Sequence, residues 1–216
     1  VYVDDPIGVG ATPQKLVPNV GHVMGYCIYI TSLRGIHKVP ASLNQVLADV
    51  LGIHSETTNK IKLKEFKNLG LNCISNIDGV FAIRSARTHS KLKERIFINS
   101  TLMAIYFKKS FERSLQDVEN ESNTAQLLDS ISAKITAFAY EFYLSSSNGG
   151  NETGFASYKK KGGGDSTFND VTLVVADGTI NPLSQINEGI LRVKFYFMAP
   201  APAESILIGV GLLFNR

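Results

Sequence analysis

Apolar and polar side chains alternate near the carboxyl end of the chain, as they do in half-buried strands. Between residues 191 and 197 the apolar face of the predicted strand holds Leu191, Val193, Phe195 and Phe197. The run ESILIGVGLLF alternates in the same way and places on one face Ile206, Ile208, Val210, Leu212 and Phe214. The joint APAPA contains two prolines, which keep it extended and lack amide donors, so we expect it to reach outward. A free last strand would expose an aggregation-prone edge, so the sequence raises the question of its partner.

The middle of the chain has the period of amphipathic helices. A first helix, with Asn99 or Ser100 as its cap, has an apolar stripe formed by Met103, Phe107, Phe111 and Ser114. Its polar ridge consists of Lys108, Lys109, Glu112 and Arg113. A second helix, with Asn123 as candidate cap, has one broad apolar face containing Leu127, Leu128, Ile131, Ile135, Phe138 and Phe142.

Shorter elements are predicted on both sides of this helical pair. The β-branched and aromatic residues of MGYCIYI favour a strand at 24–30, and a short helix is expected around 42–51. Strands at 72–76 and 80–85 flank an Asp-Gly turn, and another strand begins at residue 171. Because strands flank a helical pair, the predicted class is α/β or α+β with a mixed sheet.

Composition and length favour a single core with extensions. The chain has 216 residues, 44% of them hydrophobic and 19% charged, which is ordinary for a globular protein. We expect a core domain at 1–199, with a glycine-rich hairpin or loop at about 145–170, and a C-terminal arm at 200–216. No apolar run approaches the roughly 18 residues that a membrane span needs. The chain starts at Val1 and not at a methionine, and we expect it to be the stable remnant of a longer protein.

Candidate chemistry is sparse, so we expect neither an enzyme nor a metal or cofactor site. The four histidines have no metal-ligand spacing, and Cys27 and Cys73 lie in apolar runs that are typical of buried thiols. In KKKGGG, at 159–164, the lysines precede the glycines, which is the wrong order for a phosphate-binding P-loop. We interpret this run as a solvated loop tip.

A basic patch is the more interesting polar feature. It contains four lysines within eight residues: Lys60, Lys62, Lys64 and Lys67. The patch is either a solvated face or a docking surface for an acidic partner, and the second would weaken with salt. The net charge of +3 is small, and Phe66 is the only aromatic side chain among these lysines that could stack on a base, so nucleic acid is not an expected partner.

Four blocks of the sequence, taken together and in order, resemble the core, or C-terminal, domain of contractile tail sheath proteins. The blocks are VPNVGHVMGYCIYITSLRGIHKVPAS, LGLNCISNIDGVFAIRSART, ERIFINSTLMAIYFKKSFERSL and INEGILRVKFYFMAPAPAESILI. The similarity spans roughly residues 17 to 214. The chain departs from the family pattern at Ser32-Leu33, Ser85 and Val118-Glu119-Asn120, as a diverged member would.

The resemblance implies a structural subunit that polymerises helically around a tail tube and shortens to drive the tube through a target cell envelope. Its implied partners are further copies of itself, the tail tube protein, and baseplate and tail terminator proteins, without nucleic acid or direct membrane insertion. Its implied location is the tail sheath of a virion assembled in the host bacterial cytoplasm, although a bacterial contraction device remains open. Possible tube-facing residues are Lys60, Lys62, Lys64, Lys67, Lys108, Lys109 and Arg113.

Family members exchange strands through extended terminal arms, so the resemblance implies that the last strand pairs with a neighbouring subunit. The implied interface contains the apolar residues of both carboxyl-terminal strands. The resemblance also implies that the amino-terminal arm and the inserted domains of the family are absent from this chain, so we do not expect it to form a normal sleeve alone. Two alternatives stay open: a monomeric α/β enzyme of unknown chemistry, with the last strands as a hairpin, and a non-contractile assembly protein. A concave pocket with paired polar groups would favour the enzyme.

Overall fold

The structure is a computed structural model, and it describes residues 2–4, 14–41, 46–47, 50–53, 60–122, 124–144, 154–156, 166–177 and 179–201. The helices in these ranges are α1 (Asn19–Arg34), α2 (Lys60–Asn68), α3 (Ile98–Ser114), α4 (Ala125–Leu144), α5 (Phe168–Val171) and α6 (Leu183–Asn187). The strands are β1 (Tyr2–Asp4), β2 (Gln14–Leu16), β3 (Ile74–Ile77), β4 (Val80–Ile83), β5 (Thr172–Val175) and β6 (Lys194–Phe197). The mixed helix-and-strand class is confirmed. The described strands form three antiparallel pairs, β1–β2, β3–β4 and β5–β6, where we expected one mixed sheet.

Helices α3 and α4 pack together around an aromatic core, as the periodicity predicts. This core consists of the buried residues Met103, Phe107, Ala139, Phe155 and Val171 and the aromatic side chains that pack on them. The ring of Phe107 stacks on that of Phe155 and lies 5.2 Å from Phe195 and 5.1 Å from Phe197, measured between ring centroids. Ser114, which we expected on the buried stripe, is exposed, because the stripe ends where α3 reaches its last residue.

The alternating pattern at 191–197 is confirmed. The odd-numbered residues from 191 to 197 are half-buried, with Phe195 and Phe197 packed on the aromatic core, and the even-numbered ones are exposed. Strand β6 pairs antiparallel with β5, with Thr172 opposite Phe197 and Val175 opposite Lys194. The predicted last strand and the lysine–glycine run lie outside the described residues.

The loop predicted at about 145–170 is wrong only at its end: of the described residues in that range, 154–156 and 166–167 are neither helix nor strand, whereas residues 168–170 are helical. Phe155 is only 1% exposed and belongs to the aromatic core, and Phe168–Val171 forms the short helix α5. A capping box starts this helix: Asp170 accepts from the backbone N–H of Thr167, while the Thr167 side chain caps the amide of Asp170. The burial of Phe155 therefore packs this part of the loop against the aromatic core.

The predicted strand at 24–30 is also wrong, because these residues belong to helix α1. Tyr26 and Ile30, which are one helical turn apart, are buried in a second core with Leu47, Val50 and Ile83. This tertiary packing outweighs the β-propensity of the segment, which is a weak preference. The helix follows Pro18 and ends before Gly35, whose N–H donates to the carbonyl of Thr31. These are ordinary start and stop signals for a helix.

The hairpin β3–β4 is confirmed, with strands slightly shorter than expected. Its turn residues Asp78 and Gly79 both have positive φ, 53° and 84°, as type I′ turns require. The helix expected around 42–51 is not found in the described part of that range. Val46 instead forms an isolated antiparallel bridge with Ala82 of β4.

Helix caps differ from the sequence prediction. Phe97, in extended conformation, occupies the N-cap position of α3, and the side chain of Asn99 is used elsewhere. Asn123 lies outside the described residues, and Thr124 accepts a hydrogen bond from the N–H of Leu127 at 3.1 Å. Within the described ranges, none of the helices combines the length and apolarity that crossing a bilayer requires.

Candidate assembly surfaces

A groove of about 930 Å³ runs between α3, α4 and the chain leading into β6. Its walls are apolar and include Phe111, Leu127 and Ile131, together with the predicted interface residues Leu191, Val193, Phe195 and Phe197. Charged side chains such as Glu112 and Glu119 line it too, and these are exposed. The groove therefore presents an aromatic and aliphatic floor with a charged rim.

The structure thus brings together the four predicted interface residues between 191 and 197, and they line a groove formed with the protein's own helices. Phe195 and Phe197 already contact Phe107, so their rings belong to the aromatic core as well as to the groove. Among the described residues, β6 is hydrogen-bonded as a strand to β5 alone. The other five predicted interface residues, from Ile206 to Phe214, lie outside the described residues.

Two asparagine side chains hold the segment that contains β6. Asn181 Oδ1 accepts a hydrogen bond from the N–H of Arg192 at 2.7 Å, and Asn181 Nδ2 donates one to the Arg192 carbonyl at 2.9 Å. At the other end, Asn99 Nδ2 donates to the Pro200 carbonyl at 2.7 Å and to the His37 carbonyl at 3.1 Å. Both asparagines are buried, with 3% and 0% of their surface exposed. The segment from 192 to 200 is therefore fixed where it enters and where it leaves the fold.

The predicted basic patch lies on α2. Lys62 and Lys64 are exposed and Lys67 is half-buried, whereas the side chain of Lys60 lies outside the description. The helix ends against the segment after β4, where Arg87 Nη1 donates to the Lys67 carbonyl at 3.3 Å. A Cβ on Gly70 would lie 2.5 Å from the Thr88 carbonyl oxygen, so only glycine permits this close approach.

Arg87 thus lies beside α2, and the sequence around both is rich in cations; we call the cations of residues 60–95 the basic face. That range contains nine Lys or Arg and three Asp or Glu, a net charge of +6 in a chain whose total is +3. Sequence reasoning missed the cations beyond α2, namely Arg84, Arg87, Lys91, Lys93 and Arg95. A charge count over a wider window is the signal that finds them.

The predicted cations of α3 have a different environment. Lys109 Nζ lies 3.0 Å and Lys108 Nζ 3.7 Å from the carboxylate of Glu112. Lys109 donates the hydrogen bond that, more than any other contact, holds the pKa of Glu112 below its usual value. Arg113 is exposed on the same helix. The local carboxylate partly offsets the charge of this ridge.

Helix α1 carries an exposed apolar face that the sequence analysis missed. Val20, Met24 and Ile28, at successive i, i+4 positions, are 62%, 59% and 67% exposed. Beside them, a Cβ added at Gly21 or Gly25 would meet nothing within 4 Å. The i, i+4, i+8 spacing is the signal for this face, but it has meaning only once the segment is known to be helical. Contiguous exposed apolar surface of this kind is typical of interaction sites.

Titratable groups in the described core are shifted towards their neutral forms. Burial, assisted by the charges of Lys38 and Arg34, lowers the pKa of His37 to about 4. Burial likewise raises the pKa of Tyr26 to about 12 and raises those of the Cys27 and Cys73 thiols. Both thiols are half-buried and free. Across the described residues, His, Cys, Asp and Glu side chains do not gather in groups of three that could hold a metal ion.

Comparison with known proteins finds similarity in structure alone, since no family model and no curated protein matches the sequence. The chain is similar to a chain of the sheath complex of PVC, an extracellular contractile injection system, in the contracted state, with a TM-score of 0.75 and 20% identity. That match covers 93% of this chain and 52% of the other. It is also similar to a chain of the contracted helical sheath of the anti-feeding prophage, with a TM-score of 0.74, 19% identity and coverages of 97% and 54%.

A third match is a chain of the six-fold symmetrised baseplate structure of the anti-feeding prophage, with a TM-score of 0.76 and 19% identity. It covers 99% of this chain and 53% of the other. The chain thus has the fold found in these contractile assemblies, and it spans about half the length of the chains that it matches.

Proposed function

We propose that this chain is the core part of a structural subunit of a contractile sheath, which polymerises helically around a tube and shortens to drive the tube through a target envelope. The observation that carries this proposal is the likeness to chains of the PVC sheath complex and the anti-feeding prophage helical sheath, with TM-scores of 0.75 and 0.74. The four sequence blocks that resemble contractile tail sheath proteins support it independently. The core at 1–199 and the arm at 200–216 are the two working parts.

In this proposal the arm of one copy completes a strand edge of another. Backbone hydrogen bonds would provide affinity, and alternate side chains would provide specificity. The apolar side chains of the arm that would be covered are Ile206, Ile208, Val210, Leu212 and Phe214. The apolar groove beside β6, with its half-buried Leu191 and Val193, is the expected acceptor region.

The energetics favour assembly that needs nucleation. Burying about five large apolar side chains gains roughly 7 to 15 kcal/mol. Ordering about nine residues costs roughly 9 to 18 kcal/mol, so one donated strand is near break-even. Several contacts made at once in a helical array would shift the balance through effective concentration. Subunits are therefore expected to stay soluble until assembly is nucleated, and spontaneous tight dimers in sedimentation experiments would argue against this mechanism.

The basic face is the proposed contact with the tube. Its charge is concentrated on α2 and the segment after β4, and it fits a partner with an acidic surface. The predicted cations of α3, Lys108, Lys109 and Arg113, are a second candidate. Further proposed partners are baseplate and tail terminator proteins, and the proposed site of assembly is the cytoplasm of the producing bacterium, in a phage or a phage-like injection device.

Labelling of intact particles tests the proposed function. Contractile particles from producing cells would be decorated with a gold-labelled antibody raised against this chain. We expect label along the whole sleeve, in extended and in shortened particles. In a second part of the experiment, a stop codon at Glu204 removes residues 204–216, which include all five apolar side chains proposed to be covered, and should leave tubes without sleeves. Label confined to the soluble fraction, or normal sleeves built by the truncated protein, would contradict the proposal.

A further inference from the structure

The side chain of Asn99 connects three distant parts of the chain. It lies in the first turn of α3, is 0% exposed, and donates to the carbonyls of His37 and Pro200, which are 62 and 101 residues away in sequence. Its Oδ1 is buried without a hydrogen-bond partner among the described residues. A buried amide with an unpaired acceptor is unfavourable. The two donated bonds are thus what the structure gains from asparagine at this position.

The bond to Pro200 lies at the root of the arm. Just before it, the N–H of Met198 donates to the Val171 carbonyl and the Met198 carbonyl accepts from Ala156, each at 2.8 Å. Just after it, Ala201 is exposed. Proline has no N–H, so at position 200 the carbonyl is the only backbone group that can form a hydrogen bond. Asn99 therefore binds the chain where it leaves the body of the protein.

We propose that Asn99 is a positioning residue that anchors the root of the C-terminal arm and sets the direction in which the arm leaves. The arm's use in assembly rests on the proposed function, whereas the anchor itself does not. The amide is rigidly placed, because α3 continues from Asn99 into the aromatic core through Met103 and Phe107. Tension applied to the arm would pass from Pro200 through this amide into α3 and into the loop that contains His37.

Asn181 provides a matched control at the other end of the same segment. It is also buried and also binds backbone groups, those of Arg192 and Asp177, through its side-chain amide. Its replacement removes a clamp of the same chemistry before β6 and leaves the root of the arm untouched. A general loss of packing would affect both variants alike, whereas loss of the anchor is specific to Asn99.

Distance measurements between two spin labels test the anchor in the full chain in solution. With Cys27→Ser and Cys73→Ser as background, labels at Ala201→Cys and Arg113→Cys, which are exposed sites, report how the chain leaves relative to the far end of α3. Asn99 and Arg113 are about 20 Å apart along α3, and Ala201 directly follows the residue that Asn99 binds, so the distance between the two labels is in a measurable range once the label linkers are added. The wild-type chain should give one narrow distribution, and Asn181→Ala should keep it.

Asn99→Ala should at least about double the width of the distribution, because an unanchored end samples space as a flexible chain. Asn99→Ser is the second variant, since its short hydroxyl cannot replace both bonds. A narrow distribution in a folded Asn99 variant would overturn the proposal. A broad distribution in the wild-type chain would overturn it too, even if neither Asn99 variant folds. The result does not depend on sleeve formation, so the anchor and the proposed function can fail separately.

Discussion

Helices α1 and α3 have nearly equal lengths, 16 and 17 residues, but they distribute their apolar side chains differently. On α3, Met103 and Phe107 are buried in the aromatic core, and the polar ridge faces solvent. On α1, Tyr26 and Ile30 are buried, while Val20, Met24 and Ile28 on the other side of the helix are exposed. Helix α3 thus buries the centre of its apolar stripe within the chain, whereas α1 leaves a good part of its apolar surface in solvent.

The exposed apolar face of α1 is thus a second surface available to a partner, in addition to the groove between α3, α4 and the chain leading into β6. A monomer gains nothing from exposing aliphatic side chains at successive helical turns, whereas a subunit of an assembly can cover them. The same argument applies to the proposed strand donation. The arm also carries apolar side chains, and in an assembly another copy would cover them.

The largest contrast is expected between Phe107→Ala and Ile28→Ala. Phe107 is 2% exposed and its ring contacts several aromatic side chains, so its truncation should lower the free energy of unfolding by about 3 to 5 kcal/mol. Ile28 is 67% exposed, so its truncation should cost less than about 0.5 kcal/mol. Urea unfolding at low protein concentration measures both. A cost for Ile28→Ala close to that of Phe107→Ala would mean that α1 is already covered in solution.

A charge on the arm should affect assembly and leave the core unchanged. Introduced into the complete subunit, Ile208→Asp removes one proposed interface side chain, which is worth about 1.5 to 3 kcal/mol, and should raise the critical concentration for nucleated sleeve assembly about tenfold or more. Ser205→Asp adds the same charge on the opposite face of the predicted strand and serves as control. Pelleting assays measure assembly, and thermal unfolding measures the core. Equal effects of the two variants on assembly would contradict the prediction that Ile208 lies on the covered face of the arm and Ser205 on the opposite face.

Acidification should destabilise the segment between α1 and α3 that contains His37, whose carbonyl accepts a hydrogen bond from Asn99 of α3. Its pKa is about 4 in the folded protein and about 6.5 when unfolded, so the unfolded state binds the extra proton first. Stability should therefore be complete above about pH 6.5 and decrease by about 1 to 3 kcal/mol as the pH falls to about 4. His37→Gln should remove most of this slope, and His89→Gln, at an exposed site, should not. An unchanged slope in His37→Gln would show that other groups cause it.

The smallest effect is expected on the basic face. Lys64→Glu should leave the free energy of unfolding within about 0.5 kcal/mol, because Lys64 is exposed. It should weaken binding of the subunit to purified tubes, and the difference from wild type should shrink as salt is raised. Glu65→Lys, the adjacent reversal of opposite sign, should strengthen binding. If Lys64→Glu binds as tightly as wild type at low salt, the tube does not contact α2.

The regions that sequence reasoning predicted correctly are those in which a local pattern, most clearly a helical repeat over many residues, determines the structure. Helices α3 and α4 extend over 17 and 20 residues, so several turns repeat the same apolar face. The alternation at 191–197 and the Asp78-Gly79 turn are equally local signals. In each case, residues close in sequence determine the structure, and no distant contact is needed to predict it.

The errors have a common cause, which is dependence on distant contacts. The segment of α1 is rich in β-branched and aromatic residues, and its helix depends on packing against Leu47 and Ile83. Phe155 stands in a stretch of loop-like composition, and only the stack on Phe107 explains its burial. The role of Asn99 depends on an acceptor 101 residues away, so a sequence window could suggest only a helix cap.

The most direct test of strand donation is a reconstruction, at side-chain resolution, of an assembled particle that contains this chain. The account predicts that the backbone of residues 206–214 is hydrogen-bonded to a strand of a different copy, with the side chains of Ile206, Ile208 and Val210 covered by that copy. Pairing of residues 206–214 wholly within their own molecule would contradict it.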